Sequence, residues 1–396
     1  MKSFLIKLNK ARRMIQKSGF RIGGKIVLGY VKDYAKSFFV NSGEILFITG
    51  GIGDKAHFRA FGVAEELMIH DFKCAVTVAD NFNLPKIAKK FKIFVLHKVA
   101  YNEKIAKLIS EIKKQNKEII FDTDDLDYDP QYLKYMDYFS LISDSEKKEY
   151  EKGIGAEIIN DEYVKVCTTT VSYLAQKIRE KNKKVFIVPN KISNNELEIA
   201  DKILSERKKQ DGFLRIGYFS GTYSHNRDFA TINDALLEIL EKNKNVKLLL
   251  AGPLDIENKL NRFKDRIEIL PRVPREEYYN NIFKCDINIV PLEIGNPFCE
   301  SRSELKFFEA GILEIPTVAV RNQTFSEAIS DGVDGFLADK TSEWVEKISR
   351  LVEDEKLRQD MGKKARKKVL LDYTNKNSHN EEYYNYLKSC IMKHEA

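Results

Sequence analysis

The sequence predicts an α/β protein of two doubly wound, parallel-sheet halves behind a basic, amphipathic N-terminal arm. Three observations carry this prediction. The chain has 396 residues, more than one ordinary core holds and suited to two domains of roughly 150–200 residues. Short apolar runs alternate with helical patterns from Glu44 onward, and the alternation restarts at Leu214, as a succession of βαβ units requires. Charge is uneven as well. Residues 1–40 hold ten basic side chains and one acid, Asp33, for a net +9; the whole chain is +7, so the remainder is −2.

The arm reads as two amphipathic helices hinged near Gly19 or Gly23-Gly24. Phe4, Leu5, Leu8, Ala11 and Ile15 form one apolar face. Ile22, Ile26, Val27, Tyr30, Val31, Tyr34, Ala35, Phe38 and Phe39 form a second, with Arg21, Lys25, Lys32 and Lys36 beside or opposite it. Such a helix fits an in-plane position on an anionic membrane surface. Packing on its own domain is the equal alternative.

In the first half, Ile45–Thr49 is a strand, Gly50–Asp54 a glycine loop, and the stretch around Phe58–Leu67 a helix. Strands follow at Cys74–Val78, Ile93–Leu96 and Ile119–Phe121, with helix Glu103–Lys114 between the last two and Val185–Val188 as the closing strand. The second half opens with strand Leu214–Phe219 and helix Ala230–Lys242. Strands continue at Val246–Ala251, Ile267–Leu270, Ile287–Val290 and Thr317–Val320. Helices are expected at Arg275–Phe283, Ser303–Gly311, Ser342–Asp354, Glu355–Val369 and Asn375–Lys393. The chain thus divides into an arm (1–40), a first domain (41–191), a second domain (192–374) and a final helix (375–396) crossing back to the first domain. Ligands of doubly wound sheets sit at strand C-terminal ends, so the cleft between the domains is the expected site.

Composition removes several classes. A near-neutral body with no helix-turn-helix pattern argues against nucleic acid as a partner. Five widely spaced cysteines without a CxxC argue against a disulfide framework or structural zinc. No apolar run approaches the ~20 residues of a membrane span, and basic residues interrupt any signal-peptide core. These features point to a cytoplasmic protein, on the inner face of the cell membrane if the arm binds lipid.

The chemistry concentrates in 291–320. Ser303 reads as the N-cap of a helix running through Glu304 and Leu305 to Gly311. At ~100° per residue, Arg302, Lys306 and Glu309 fall within about 60° of one another. Amides and two cations suit a diphosphate, and a carboxylate can take both hydroxyls of a ribose. An ordinary surface Lys–Glu pair is the alternative. The stretch N-P-F-C-E-S-R-S-E-L-K-F-F-E-A resembles the donor-binding region of retaining glycosyltransferases of family 4, which have the GT-B fold. It is similar to a subgroup signature in which Arg302 stands for a Lys. The resemblance implies phosphate binding by the loop and helix start, Ser303–Leu305 and Lys306, and ribose binding by Glu309. The family's first Glu, eight residues earlier, is replaced by Ser301, with Glu300 one residue off. The loop Ser220–Ser224 resembles the family's first loop of this domain. There Gly221 would let the backbone approach phosphate, Thr222 stands at the usual Arg position, and Arg227 is the nearest basic candidate.

In the first domain the glycine loop, with Gly51 and Gly53, is not GxGxxG, so a dehydrogenase fingerprint fails. The resemblance places it over the cleft near phosphate and acceptor; His57, next along the chain, is read as polarising an acceptor hydroxyl, with a structural histidine as the alternative, and Arg59, His97 and Lys98 as contacting the acceptor. Asp122, Asp124 and Asp125 cluster after a buried strand and need a compensating cation or hydroxyl network, with His97-Lys98 as the candidate cation; the subgroup has a similar D-x-D-D-L. Asp124 and Asp125 are read as catalytic. Turn chemistry and Mg²⁺ binding are the alternatives for this cluster, although GT-B enzymes generally need no metal. The expected catalytic set is His57, Asp124, Asp125, Arg227 and Lys306. The implied function is retaining transfer of a sugar from a nucleotide-diphosphate sugar to a glycan or lipid-linked acceptor in cell-surface polysaccharide synthesis, with no cofactor. The rivals are a nucleotide-sugar epimerase and a catalytically degenerate scaffold subunit.

Overall fold

The structure is a computed structural model. It describes residues 23–25, 27–32, 34–53, 56–136, 139–206, 211–221, 225–252, 254 and 258–394. The expected first arm helix and Thr222 lie outside the described residues.

Two six-stranded parallel sheets make up the body. The first contains β1 (Ile45–Thr49), β2 (Cys74–Val78), β3 (Ile93–His97), β4 (Glu118–Asp122), β5 (Val166–Thr169) and β6 (Lys184–Ile187), in spatial order β2-β1-β3-β4-β5-β6. The second contains β7 (Leu214–Phe219), β8 (Val246–Ala251), β9 (Ile267–Leu270), β10 (Ile287–Val290), β11 (Thr317–Val320) and β12 (Phe336–Ala338), in order β12-β11-β10-β7-β8-β9. The inner strands, buried on both faces, are near-continuous apolar runs rather than alternating ones; Ile45–Ile48 and Ile287–Val290 are at most 2% exposed, whereas edge strand β9 is only partly buried. Each sheet reverses its strand order once, between β1 and β3 in the first and between β7 and β10 in the second. At such a switch point neighbouring loops leave in opposite directions and open a crevice. Two glycines let the loops there pass closely. A Cβ on Gly50 would stand 2.0 Å from Lys98 O. One on Gly252, which has φ +91°, would stand 1.8 Å from Ser220 O.

The sequence reading missed two strands, β5 and β12. It also ran Ala230–Lys242 as one helix, where the chain forms Asn226–Ala230 and Asn233–Lys242 with a break at 231–232. The Phe58–Leu67 expectation becomes a π-turn, His57–Phe61, leading into helix Gly62–Ile69.

The halves are stitched at a junction. Ile192 N donates to Tyr373 O at 2.8 Å, and Asn375 N donates to Ile192 O at 3.0 Å. Helix Glu381–Met392 then packs Tyr383, Leu387 and Ile391 against Phe47, Val95 and Val188 of the first sheet. Buried Glu66 collects Lys191 Nζ, Ser378 Oγ and Tyr384 OH, each at 2.6 Å, and so joins one helix to both crossing segments. Each half also inserts an aromatic into the other. Phe58 packs in the second half's core and Phe298 in the first half's.

The described part of the arm divides its faces. Tyr34 OH donates to Asp80 Oδ2 at 3.3 Å, Thr77 Oγ1 donates to Ser37 O at 2.8 Å, and Phe38 lies 6.0 Å from the Phe82 ring. Leu28, Val31 and Phe39 face outward, at 71%, 58% and 88% exposure. Among the described residues, no helix is long and apolar enough to cross a membrane.

Candidate active site

The two switch points face each other. On the second sheet, the loop after β7 leads through His225 into helix Asn226–Ala230. The loop after β10 leads through the turn Pro297–Glu300 to helix Leu305–Gly311. That helix begins two residues later than Ser303, with Glu304 as its N-cap residue. The Ser303 capping expectation is therefore corrected. Its Oγ instead accepts from Asn190 Nδ2 at 3.1 Å, across to the junction.

The cationic group is compact. Arg302 Nη1 lies 3.1 and 3.0 Å from Nδ1 and Nε2 of His225. Equal approach to both nitrogens puts the guanidinium against the ring face, since an in-plane approach would collide with ring carbons. Burial, together with Arg302 and Lys306, pushes the His225 pKa down to about 3, so the ring is neutral. Its Nδ1 donates to Asp228 Oδ2 at 3.0 Å. Burial works against the Asp228 charge, yet His225 and Arg302 hold its carboxyl at about 2. Lys306 is partly buried and has no carboxylate within ion-pair reach among the described residues. Burial and neighbouring Arg302 lower its pKa to about 8. A cation so placed gains when an anion enters. Gly221 is exposed, and a Cβ there would meet nothing within 4 Å, so the loop is open on that side. Arg227 is exposed on the Asn226–Ala230 helix, one residue before Asp228.

Glu309 is 1% exposed. Arg275 Nη2 lies 2.6 Å from its Oε1, and Tyr278 OH donates to its Oε2 at 3.1 Å. Burial raises the Glu309 pKa, with Arg275 opposing. Arg275 Nε also donates to Glu196 Oε1 at 2.7 Å, an atom that accepts from His57 Nε2 at 3.1 Å. His57, expected to act on the acceptor, is thus held against the opposite domain by one ring nitrogen. Ser301 is fully buried and donates to Phe298 O; Glu300 accepts from Gly295 N at 3.2 Å. No carboxylate stands at the Ser301 position. The Glu304 side chain turns into the interior beside Tyr373, where burial raises its pKa to about 7.

On the first sheet, the acceptor-contact expectation for Arg59 and His97 needs correction, because both are 1% exposed. Asp122 sits at the end of β4 and takes Arg59 Nη2 at 2.5 Å, His97 Nδ1 at 2.8 Å and Thr168 Oγ1 at 2.7 Å. Arg59 also donates to Val188 O. Burial opposes the Asp122 charge, but Arg59 and His97 prevail and push its pKa far down. The group holds β3, β4, β5 and the junction together. Lys98, at φ +48°, supplies the cation for the other acids, 2.8 Å from Asp124 and 2.7 Å from buried Asp127. Asp124 and Asp125 stay partly exposed, and Asp125 acts electrostatically on Arg302 across the cleft. The aspartates therefore already have a cation. Gly51 and Gly53 lie at the rim, with Tyr30 of the arm 3.8 Å from where a Gly53 Cβ would be. A different trio, Asp228, Glu293 and Cys299, brings ligand-type atoms within 4.8 Å of one another. Its Cys299 Sγ and Glu293 N both donate to Asp228 Oδ1.

Sequence reasoning missed His225, Glu196, Arg275 and Tyr278. His225 had a local signal, three residues before Asp228 in a βα loop. Arg275, read as the first residue of an ordinary helix, had none.

Arg302, Lys306 and the buried Glu309 carboxylate thus come together at the switch point of the second doubly wound domain. Residues 201–368, in the second half of the chain, match the family model described as Glycosyl transferases group 1. Over 192 residues the chain is 26% identical to the capsular polysaccharide biosynthesis glycosyltransferase CapM of Staphylococcus aureus, covering 45% of this chain and 46% of that protein. The chain thus spans about half the length of that relative. Among solved structures it resembles HepE of Anabaena in complex with UDP, with TM-score 0.59 and 13% identity over 87% of this chain and 100% of that one. Sucrose-phosphate synthase of Thermosynechococcus elongatus matches with TM-score 0.59 and 12% identity, over 88% and 100%. These likenesses establish the fold, which is GT-B.

Proposed function

We propose that this chain transfers a sugar from a nucleotide-diphosphate sugar to a hydroxyl of a glycan or lipid-linked acceptor, with retention, in cell-surface polysaccharide synthesis. The observation that carries the reading is the grouping of Arg302, Lys306 and the Glu309 carboxylate at the switch point of the domain that matches group 1 glycosyltransferases. The leaving diphosphate would be stabilised by Arg302 and Lys306, with Arg227 at the rim; this is electrostatic catalysis at the atoms where charge develops. Glu309 would hold the ribose. In retaining transfer the sugar's C1–O bond to the diphosphate breaks, the acceptor oxygen bonds C1 from the same face, and the acceptor proton passes to the departing phosphate oxygen. In this reading His57, Asp124 and Asp125 would face the acceptor. HepE, whose fold this chain shares, is solved with UDP and with UDP-glucose, which makes uridine donors the first to test.

The test is transfer from UDP- and GDP-sugars to membrane-extracted acceptors, with the anomeric configuration of the product read by NMR. An inverted linkage would refute retention. Donor turnover without any acceptor would favour an epimerase. The buried Ser301 in place of a carboxylate favours one second reading, a nucleotide-binding assembly subunit, for which binding without transfer is the expected outcome. The outward Leu28, Val31 and Phe39, with exposed Lys25, Lys32 and Lys36, support a further part of the proposal: that the arm rests on an anionic membrane surface.

A further inference from the structure

Arg275 occupies an unusual position. Its guanidinium is shared between two buried carboxylates, Glu309 at 2.6 Å and Glu196 at 2.7 Å, which are 1% and 2% exposed. Its Cζ lies 4.6 Å from the centre of the Phe58 ring, and Phe58 belongs to the opposite domain. Glu196 in turn accepts from His57, the residue before Phe58. Burial disfavours the Arg275 charge, but the two carboxylates more than compensate, so it stays protonated at any working pH. A carboxylate has about four lone-pair sites. Arg275 holds Oε1 of Glu309 by charge and Tyr278 OH donates to Oε2, while Oε1 stays a buried acceptor without a hydrogen-bond donor, so the carboxylate is fixed in place with acceptor capacity to spare.

We propose that Arg275 is a positioning residue: it aims the Glu309 carboxylate at the ribose diol and ties it, through Glu196 and Phe58, to the glycine-loop end of the other domain, so that ribose capture and domain contact are coupled. The proposal rests on the nucleotide-sugar reading above. Phe58 reaches the guanidinium, and His57 reaches its Glu196 partner, only while the domains meet, so separating them removes an aromatic face from Arg275 and a hydrogen-bond donor from Glu196. A ligand that needs the oriented carboxylate then favours the closed arrangement by linkage.

The test uses the full chain with UDP and GDP as probes, beside their 2′,3′-dideoxy counterparts and inorganic pyrophosphate. Binding is measured by calorimetry for the unaltered protein, Arg275→Gln and Arg275→Lys. The expected result for Arg275→Gln is about a tenfold loss of nucleoside diphosphate affinity, the size of one charge-assisted contact. The preference for the ribose over the dideoxy form should collapse, while pyrophosphate affinity stays within about twofold because Arg302 and Lys306 are untouched. Arg275→Lys should recover part of the preference. Hydrogen exchange gives the coupling: UDP or GDP should protect the amides of 57–61 in the unaltered protein and not in Arg275→Gln. A ribose preference or protection that persists in Arg275→Gln overturns this inference and leaves the nucleotide reading standing. Failure of the unaltered protein to bind any of these diphosphates overturns both.

Discussion

Lys306 offers the sharpest test of the diphosphate site. Its pKa is lowered to about 8 by burial and by Arg302, so it titrates where the other site cations do not. At a pKa of about 8, the protonated fraction is about 0.9 at pH 7 and about 0.1 at pH 9. A bound diphosphate places negative charge beside the ammonium and raises its pKa, so binding selects the protonated form. UDP or GDP affinity should therefore fall about tenfold from pH 7 to pH 9, equivalent to about 1.4 kcal/mol. The ligand contributes little to this slope, because the terminal phosphate's last ionisation, near 6, is complete. Arg302 does not titrate in the range. Calorimetry at pH 8 in two buffers of different ionisation enthalpy should show uptake of about half a proton per ligand. Lys306→Met should bind more weakly at pH 7 and lose both the slope and the uptake. A tenfold slope that survives in Lys306→Met, or a flat profile in the unaltered protein, would refute the reasoning.

Other consequences follow from the buried charges and the arm. Arg59→Met leaves Asp122 charged and uncompensated in the interior, so urea unfolding should show a loss of about 3–5 kcal/mol; an unchanged midpoint with a raised acceptor KM would restore an acceptor role for Arg59. Glu304 has its folded pKa raised from 4.5 to about 7, so the folded state holds the extra proton between those values. Stability should be highest below about pH 4.5 and fall as pH rises through about 7, by about 3 kcal/mol on this account. Glu304→Gln should remove that slope in denaturant titrations from pH 5 to pH 8. Sedimentation with anionic liposomes should show binding that weakens with added salt and is lost on deletion of residues 1–40; retention of binding by the truncated chain would remove the membrane role of the arm.

Much of the architecture was legible because parallel strands buried on both faces are continuous apolar runs. Leu214–Phe219, Val246–Ala251 and Thr317–Val320 run as the pattern indicates. β5 escaped notice because Val166–Thr169 continues into a run of threonines that looks polar. Two of the hydroxyls are satisfied at the end of the neighbouring strand, Thr168 on Asp122 and Thr169 on Thr123 O. β12 is only three residues long. In the site, helical spacing indicated Lys306 and Glu309 side by side, three residues apart on helix Leu305–Gly311, whereas Arg302 reaches Lys306 from the loop before that helix. The partners of those residues were not legible. Glu309 meets Arg275 from a helix 34 positions earlier in the chain, and His57 meets Glu196 across 139 positions.

The basic arm, the two βαβ series and the cationic helix start are properties of the amino-acid order alone, since charge counts, periodicity and local steric preference need no knowledge of distant neighbours. Which charges are available is another matter. Arg59 and His97 look like cleft residues in the sequence, yet close packing puts them on Asp122. Lys306 stands out in the sequence as a phosphate-binding candidate, but only the fold leaves it partly buried beside Arg302 with no carboxylate within ion-pair reach among the described residues. Burial and pairing depend on which strands and helices lie side by side within each half, as when β3 and β4 set His97 beside Asp122.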